Sequence, residues 1–283
     1  MSTLFSILLP TYKRSFLKEC IDSVLAQSYA SWELIIVNDA SPEDIRSIVE
    51  TYTDPRIHYY ENKQNIGARR LVKQWNYCLS LASGEYVICM GDDDKLMPNC
   101  LATYAELIAR YPEVSVLHGQ TDIIDARSQL VCHTKARPEW ESAMSLFFNR
   151  TFTYRHQFIG DFCYKRSDLL SAGGFYDLPY AWGSDDITAI RAADAQGIAN
   201  TQQVVFLYRD NEGTITRHSH TFGKLHAIAL DTCWKIRYLR RPTHNEVDEE
   251  YRKTLCRNVL RVALKKAYYV LYHSIKKPVN THG

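Results

Sequence analysis

No stretch of this 283-residue chain approaches the run of about 18 apolar residues that a membrane-crossing helix needs. A spanning helix is therefore excluded. The first residues offer only the short apolar stretch Leu4 to Leu9 before Pro10, without a basic leader or a small-residue cleavage site, so no signal peptide is expected. Paired cysteines are missing too. The eight (Cys20, Cys78, Cys89, Cys100, Cys132, Cys163, Cys233, Cys256) contain no C-x-x-C, and several sit in apolar runs such as Tyr86 to Met90. They read as reduced, mostly buried thiols of a cytosolic chain. Net charge is nearly absent: 34 Lys and Arg stand against 32 Asp and Glu, giving +2. That excludes the uniformly basic surface of a protein that coats nucleic acid, and no nucleic-acid partner is expected. Internal repeats and low-complexity linkers are lacking. No Gly-x-Gly-x-x-Gly follows the first strand signal, where Pro10-Thr11-Tyr12 stands instead, which argues against a dinucleotide-dependent oxidoreductase.

What is present is material for a core. With 46% hydrophobic and 12% aromatic residues, the chain can fill one large domain or two intimate lobes. Charge is uneven along it. Lys235 to Lys277 holds 12 basic and 4 acidic residues, +8, which leaves −6 for the rest. The early chain alternates strand and helix signals: Phe5 to Leu9, Glu33 to Val37, Arg56 to Tyr60 and Glu85 to Met90 are strand-like. Helical spacing runs from Ser15 to Leu25, after Ser41-Pro42-Glu43 where Ser41 and Pro42 begin a helix, and from Ala68 to Ala82. Continuous Ile, Leu and Val strands between helices predict a mostly parallel sheet covered on both faces. In such a sheet the ligand crevice lies beyond the carboxyl ends of the strands. Those positions hold Thr11-Tyr12, Asp39 and Asp92-Asp93-Asp94. Three acids and an aromatic gathered there suit a cation and a nucleotide.

After a helix from about Pro98 to Arg110 and a strand from Val114 to Leu117, residues 120 to 180 read as loop-rich with clustered aromatics. A helix from Asp185 to Gln196, a strand from Gln203 to Tyr208 and two helices near 220–240 and 245–276 complete the pattern. The strongest chemical signal is the acidic triplet. Adjacent carboxylates at the end of an apolar strand repel one another unless a cation compensates, and hard oxygens suit Mn²⁺ or Mg²⁺. A solvated turn at Gly91 would carry the same residues.

Pro10-Thr11-Tyr12, Val37-Asn38-Asp39-Ala40-Ser41, Asn65-Ile66-Gly67, Ala82-Ser83-Gly84-Glu85-Tyr86, Gly91-Asp92-Asp93-Asp94 and Gly173-Gly174-Phe175 occur in order along the chain. The sequence over residues 4 to 216 thereby resembles glycosyltransferase family 2. The resemblance implies the α/β GT-A fold, a mostly parallel sheet flanked by helices, here with a C-terminal helical extension, and an inverting nucleotide-sugar transferase. It implies that Pro10, Thr11 and Tyr12 line a nucleobase pocket and that Asp39 accepts the uracil N3–H, a role a carboxylate can fill because it only accepts. Arg70 falls where some members place a cation near the diphosphate, and Asp92 would face the ribose or diphosphate. Asp93 would ligate the metal with Asp94 in support, although Gly91 stands where the family often has Asp. Trp182-Gly183-Ser184-Asp185-Asp186 matches the segment that usually reads Gly-Glu-Asp, which makes Asp185 the catalytic base and puts Arg191 in the place of a family Arg. Ser184 replaces the usual Glu. Trp182 and Asp186 are secondary candidates, one for stacking on a sugar or packing, the other for capping the helix. Asn211 stands where the late Tyr-Arg segment often has a metal-approaching His.

The resulting expectation is a nucleotide-sugar-binding lobe over 1–118, an acceptor-binding lobe of the same domain over 119–219 and a basic helical extension over 220–283. The activity would be metal-dependent transfer from a UDP-sugar to a glycan or lipid-linked acceptor, with a non-catalytic nucleotide-sugar-binding module as the alternative. From Thr254 to Lys277, basic and apolar residues at helical spacing fit either an anionic membrane surface or packing on the acidic body. The expected location is cytoplasmic, peripheral at the inner face of the membrane if the tail binds lipid.

Overall fold

The computed structural model describes residues 2–211, 220–243 and 245–276. Strands β1 (Phe5–Thr11), β2 (Trp32–Asn38), β3 (Ile57–Glu61) and β4 (Tyr86–Cys89) alternate with helices α1 (Leu17–Leu25), α2 (Ile45–Val49) and α3 (Leu71–Leu81). They pair in parallel in the order β3-β2-β1-β4, with Leu8 opposite both Ile35 and Cys89. Side chains leave alternate faces of each strand, so these runs feed two apolar layers at once. Phe5, Ile7, Leu9, Leu34, Ile36 and Ile88 pack with Leu17, Ile21 and Val24 of α1. Leu8, Ile35, Val37, Val87 and Cys89 pack with Val72, Trp75 and Leu79 of α3.

The same sheet continues through the second half. β5 (Lys95–Leu96), α4 (Cys100–Arg110), β6 (Val116–Ile124), β7 (Leu130–His133), β8 (Trp140–Glu141), α5 (Ala143–Phe152), β9 (Phe162–Lys165), α6 (Arg166–Ser171), α7 (Ser184–Ala192) and β10 (Ile198–Arg209) follow in turn. The order runs on as β4-β9-β6-β10-β5, with β9 and β5 antiparallel to their neighbours. The expected division at 118/119 therefore falls inside β6, and the stretch read as loop-rich contributes three strands and two helices of its own. The reason is polarity. His118, Gln120 and Thr121 interrupt the apolar pattern of β6, yet all three are buried. At the second helix the cap is Asp44, whose carboxylate accepts from Ser47 N at 3.1 Å, rather than Ser41. Ser41 Oγ instead accepts from Glu43 N and donates to Tyr12 O, holding two strand-end loops together.

Helices α8 (Thr221–Tyr238) and α9 (Glu246–Lys276) close the described chain. α9 lies against α8 and α5, burying Leu255 and Val270 and setting Tyr251 on Phe148 with ring centroids 4.5 Å apart. Packing on the body is thus one of the two fates expected for the basic tail. No described helix is long and apolar enough to cross a membrane. All eight cysteines are free thiols, five buried and three exposed.

Candidate active site

The carboxyl ends of β1, β2 and β4 meet at one edge because the three strands are in register. Asp39 N donates to Thr11 O at 2.9 Å, and Met90 N donates to Leu8 O at 3.0 Å. Beyond this edge opens a cleft of about 1220 Å³. That exceeds the roughly 300–1,000 Å³ of an ordinary small-molecule pocket and leaves room for two substrates. Pro10, Thr11, Tyr12, Asp39, Asp92, Asp93, Asp94, Trp182, Asp185 and Asp186 all line it.

At one end, Asp39 is nearly buried and organises the loop after β3. Its carboxylate accepts from Asn62 Nδ2 (2.8 Å), Ile66 N (2.8 Å) and Gly67 N (3.1 Å). Gly67 has φ of +82°, which bends the chain back toward the acid. Thr11 Oγ1 is buried beside it without a hydrogen-bond partner among the described residues. Arg70 is exposed and does not reach the cleft wall.

In the triplet the three acids have separate surroundings. Asp92 Oδ2 accepts from Tyr12 N (2.7 Å) and Lys13 N (2.8 Å), so it ties the β4 end to the β1 end. Burial and the neighbouring Asp93 charge push its carboxyl up to about 6. Asp94 is buried, accepts from Arg209 N at 2.9 Å, and is raised well above the carboxylate range by burial and by Asp93. Asp93 is half-buried and takes Asn211 Nδ2 at 2.7 Å on Oδ2. Gly91 belongs to this arrangement: a Cβ there would lie 2.9 Å from Asp93 Oδ1 and 3.0 Å from Asp94 Oδ2. The space that an Asp at position 91 would use is filled by the next two carboxylates.

Among the described residues, no group of three or more His, Cys, Asp or Glu side chains gathers to hold a metal ion. The donor chemistry still fits a hard divalent cation held through Asp93, with Asp94 behind it and the remaining ligands from substrate oxygens and water. Burial raises Asp92 and Asp94 most and the Asp93 charge adds to it, and such an ion would relieve that second part.

At the other end, the chain approaches α7 through a strained turn. Tyr180 and Ala181 have φ of +58° and +57°, and Gly183 has +92°. Ser184 is fully buried and its Oγ accepts from Leu178 N, so the residue replacing the family Glu holds the turn rather than facing the cleft. The two following acids divide sharply. Asp186 accepts from Arg150 Nε (2.8 Å) and Gln157 Nε2 (2.9 Å). Burial alone would raise its carboxyl, but Arg150, Lys235 and Lys266 outweigh that and hold it ionised. Asp185, one residue away, is raised to about 7 by burial and by the Asp186 charge. A carboxylate with that value is a competent proton acceptor near neutrality.

Trp182 stands half-exposed in the cleft wall with Lys224 Nζ 5.2 Å from its ring centroid, so it is not a core residue. Arg191 points away from the cleft. It donates to Gly174 O and braces the Gly173-Gly174-Phe175 turn. The sequence assigns no role to several residues of the site, although Arg209 belongs to the late Tyr-Arg segment. Arg209 is fully buried at the end of β10, donating to Asp93 O (2.7 Å), Asp125 O (3.1 Å), Ser128 Oγ (3.1 Å) and Glu19 Oε2 (2.9 Å). Arg150, Asp231, Lys265, Lys266 and Tyr269 also line the cleft. They come from α5, α8 and α9, where each looks like any charged or aromatic helical residue.

Acids gathered at the strand ends, with Asp185 raised to about 7 in the same cleft, make a site suited to a charged substrate and a proton acceptor. The model for glycosyl transferase family 2 matches residues 6–168, more than half the chain, and the chain belongs to that family. Among solved structures, TarS of Staphylococcus aureus in complex with UDP-GlcNAc superposes with a TM-score of 0.74 at 16% identity, over 97% of this chain and 76% of that one. The fold is GT-A. WcaA of Escherichia coli, named for colanic acid biosynthesis, is 41% identical over 104 residues, 36% of either chain. WfgD of Escherichia coli, named as a UDP-Glc:alpha-D-GlcNAc-diphosphoundecaprenol beta-1,3-glucosyltransferase, is 31% identical over 126 residues, 44% of this chain and 48% of that one. The matched segments thus span half or less of these curated relatives.

Proposed function

We propose that the protein is an inverting glycosyltransferase that moves a sugar from a UDP-sugar, with Mn²⁺ or Mg²⁺ as cofactor, to a hydroxyl of a glycan or lipid-linked acceptor in surface-polysaccharide biosynthesis. The observation that carries the reading is the placement of Asp185, with its carboxyl at about 7, in the same cleft as Asp39 and Asp93. UDP-GlcNAc bound to TarS and the donor in the name of WfgD support the uridine nucleotide. Asp39, Thr11 and Tyr12 bind the base, and Asp92 fixes the loop beside the ribose.

When bound at Asp93, the cation supplies neutralisation of the diphosphate charge. Asp185 takes the proton of the acceptor hydroxyl, whose oxygen forms a bond to the anomeric carbon as the carbon–oxygen bond to the nucleoside diphosphate breaks. The diphosphate leaves with the electron pair. One displacement inverts the centre, so an α-linked donor yields a β-linked product. Arg150 and Gln157 keep Asp186 ionised and fixed, and its charge keeps Asp185 basic enough to accept.

Calorimetry with UDP and Mn²⁺, followed by assay of donor turnover, tests this reading. No UDP binding would sink it; UDP binding without turnover against any acceptor would move the protein to the alternative, a nucleotide-sugar-binding module. The basic tail is read as a peripheral membrane contact through the exposed outer face of α9. Flotation with anionic liposomes checks it, and equal flotation by a Leu260→Ser/Leu264→Ser/Tyr268→Ser variant would remove that contact.

A further inference from the structure

The two ends of the cleft differ in charge. Asp39, Asp92, Asp93 and Asp94 crowd one end beside Lys13, while Arg150, Lys265 and Lys266 line the other together with Asp185, Asp186 and Asp231, with Lys235 close to Lys266. Part of this positive charge is already matched. Arg150 pairs with Asp186, and Lys235 donates to Asp231 at 2.8 Å. Lys265 and Lys266 have no carboxylate within ion-pair distance among the described residues. Lys235 pushes the Lys266 ammonium below its usual range, and Asp186 and Asp231 offset this only in part. A dianion placed there would relieve the remainder.

The helix that carries these lysines has a second face. Leu260, Leu264, Tyr268 and Leu271 recur every three or four residues and are 61%, 71%, 68% and 45% exposed. At about 100° per residue, Lys265 lies about 60° round the helix from Tyr268, while Lys266 and Tyr269 lie on the side opposite the leucines; all three line the cleft. The apolar strip therefore faces outward, away from the cleft that the lysines line.

We propose that Lys265 and Lys266 form an anion subsite for a phosphate or diphosphate group carried by the acceptor, so that the acceptor sugar extends from this group toward Asp185. The subsite rests on the transferase reading given above. The phosphate belongs either to a lipid-linked sugar or to a free sugar phosphate. α9 is then the element that selects an anionic acceptor over a neutral glycan of the same sugar.

Titration calorimetry on the full chain in EDTA without nucleotide isolates the subsite, since the donor end then presents four carboxylates against Lys13 alone. The probes are farnesyl diphosphate, inorganic pyrophosphate and farnesol. Farnesyl diphosphate is expected to bind the wild type, and Lys265→Ala/Lys266→Ala to weaken it at least about tenfold, with Lys265→Arg/Lys266→Arg restoring most of the affinity. Arg257→Ala/Arg261→Ala removes the same net charge from exposed positions of the helix outside the cleft wall and is expected to retain binding. Equal loss in both alanine pairs, or no binding of either phosphate probe to the wild type, overturns the proposal. Tighter binding of farnesyl diphosphate than of pyrophosphate, with farnesol inert, supports a lipid-linked phosphate; equal binding of the two supports a free one. Because neither nucleotide nor metal is present, failure here leaves the donor reading standing, and failure of UDP binding leaves this subsite measurable.

Discussion

Replacing Asp185 by Asn is expected to make the protein more stable and nearly inactive. The carboxyl titrates near 3.8 in an unfolded chain and at about 7 in the cleft, and that displacement corresponds to roughly 4 kcal/mol at about 1.36 kcal/mol per pKa unit. Because the side chain stands partly open to the cleft, water screening reduces the expected gain on substitution to about 2 kcal/mol. The direction follows from proton binding. The folded protein holds this proton more tightly than the unfolded chain does, so the contribution to stability is intact below about pH 4 and is lost as pH rises through about 7. Differential scanning fluorimetry should therefore show the variant melting about 4–8 °C above the wild type near pH 8, with the gap under half as large near pH 5. Transfer should fall by roughly 10²–10⁴, the usual contribution of a general base. For the wild type, turnover should rise as pH passes through about 7. The reasoning fails if the melting gap is the same at both pH values, or if the variant keeps more than about a tenth of the activity.

Three further outcomes follow from the donor end. Gly91→Ala presses a Cβ against Asp93 Oδ1 and Asp94 Oδ2; calorimetry should show Mn²⁺-dependent UDP affinity reduced about tenfold, and unchanged affinity would remove Gly91 from the account of the triplet. Asp39→Asn turns one acceptor into a donor that faces the Ile66 and Gly67 amides. Hydrogen exchange at those two amides should accelerate and UDP binding should weaken by about 1.5–3 kcal/mol, whereas unaltered exchange would refute the loop-anchoring role. Arg209→Ala strips the donors from the Asp93 and Asp125 carbonyls and leaves a void under the triplet, a loss of about 3–5 kcal/mol by urea denaturation; less than about 1 kcal/mol would show that the contacts carry little stability.

The expected tail helices at 220–240 and 245–276 are found at Thr221–Tyr238 and Glu246–Lys276, because capping and helical spacing act within a few neighbouring residues. The same local signals misplace the start of α2, where Asp44 rather than Ser41 is the cap, and miss the polar half of β6. Gln120 and Thr121 are polar and read as loop, although the fold buries both. Arg191, at the family position, braces a glycine turn, and Arg70 faces solvent. Position along the chain does not fix where a long side chain ends.

By itself the sequence determined the parallel strands, their two apolar faces, and the acids just past the strand ends, since each rests on a contiguous stretch whose alternation and end residues are visible in order. The resemblance had already set Asp185 as the base, but only the tertiary structure decided that Asp186 is paired with Arg150 and that lysines from the end of the described chain enter the cleft. Burial and electrostatic fields are sums over neighbours from α5, α7, α8 and α9, and those neighbours meet only when the chain has folded.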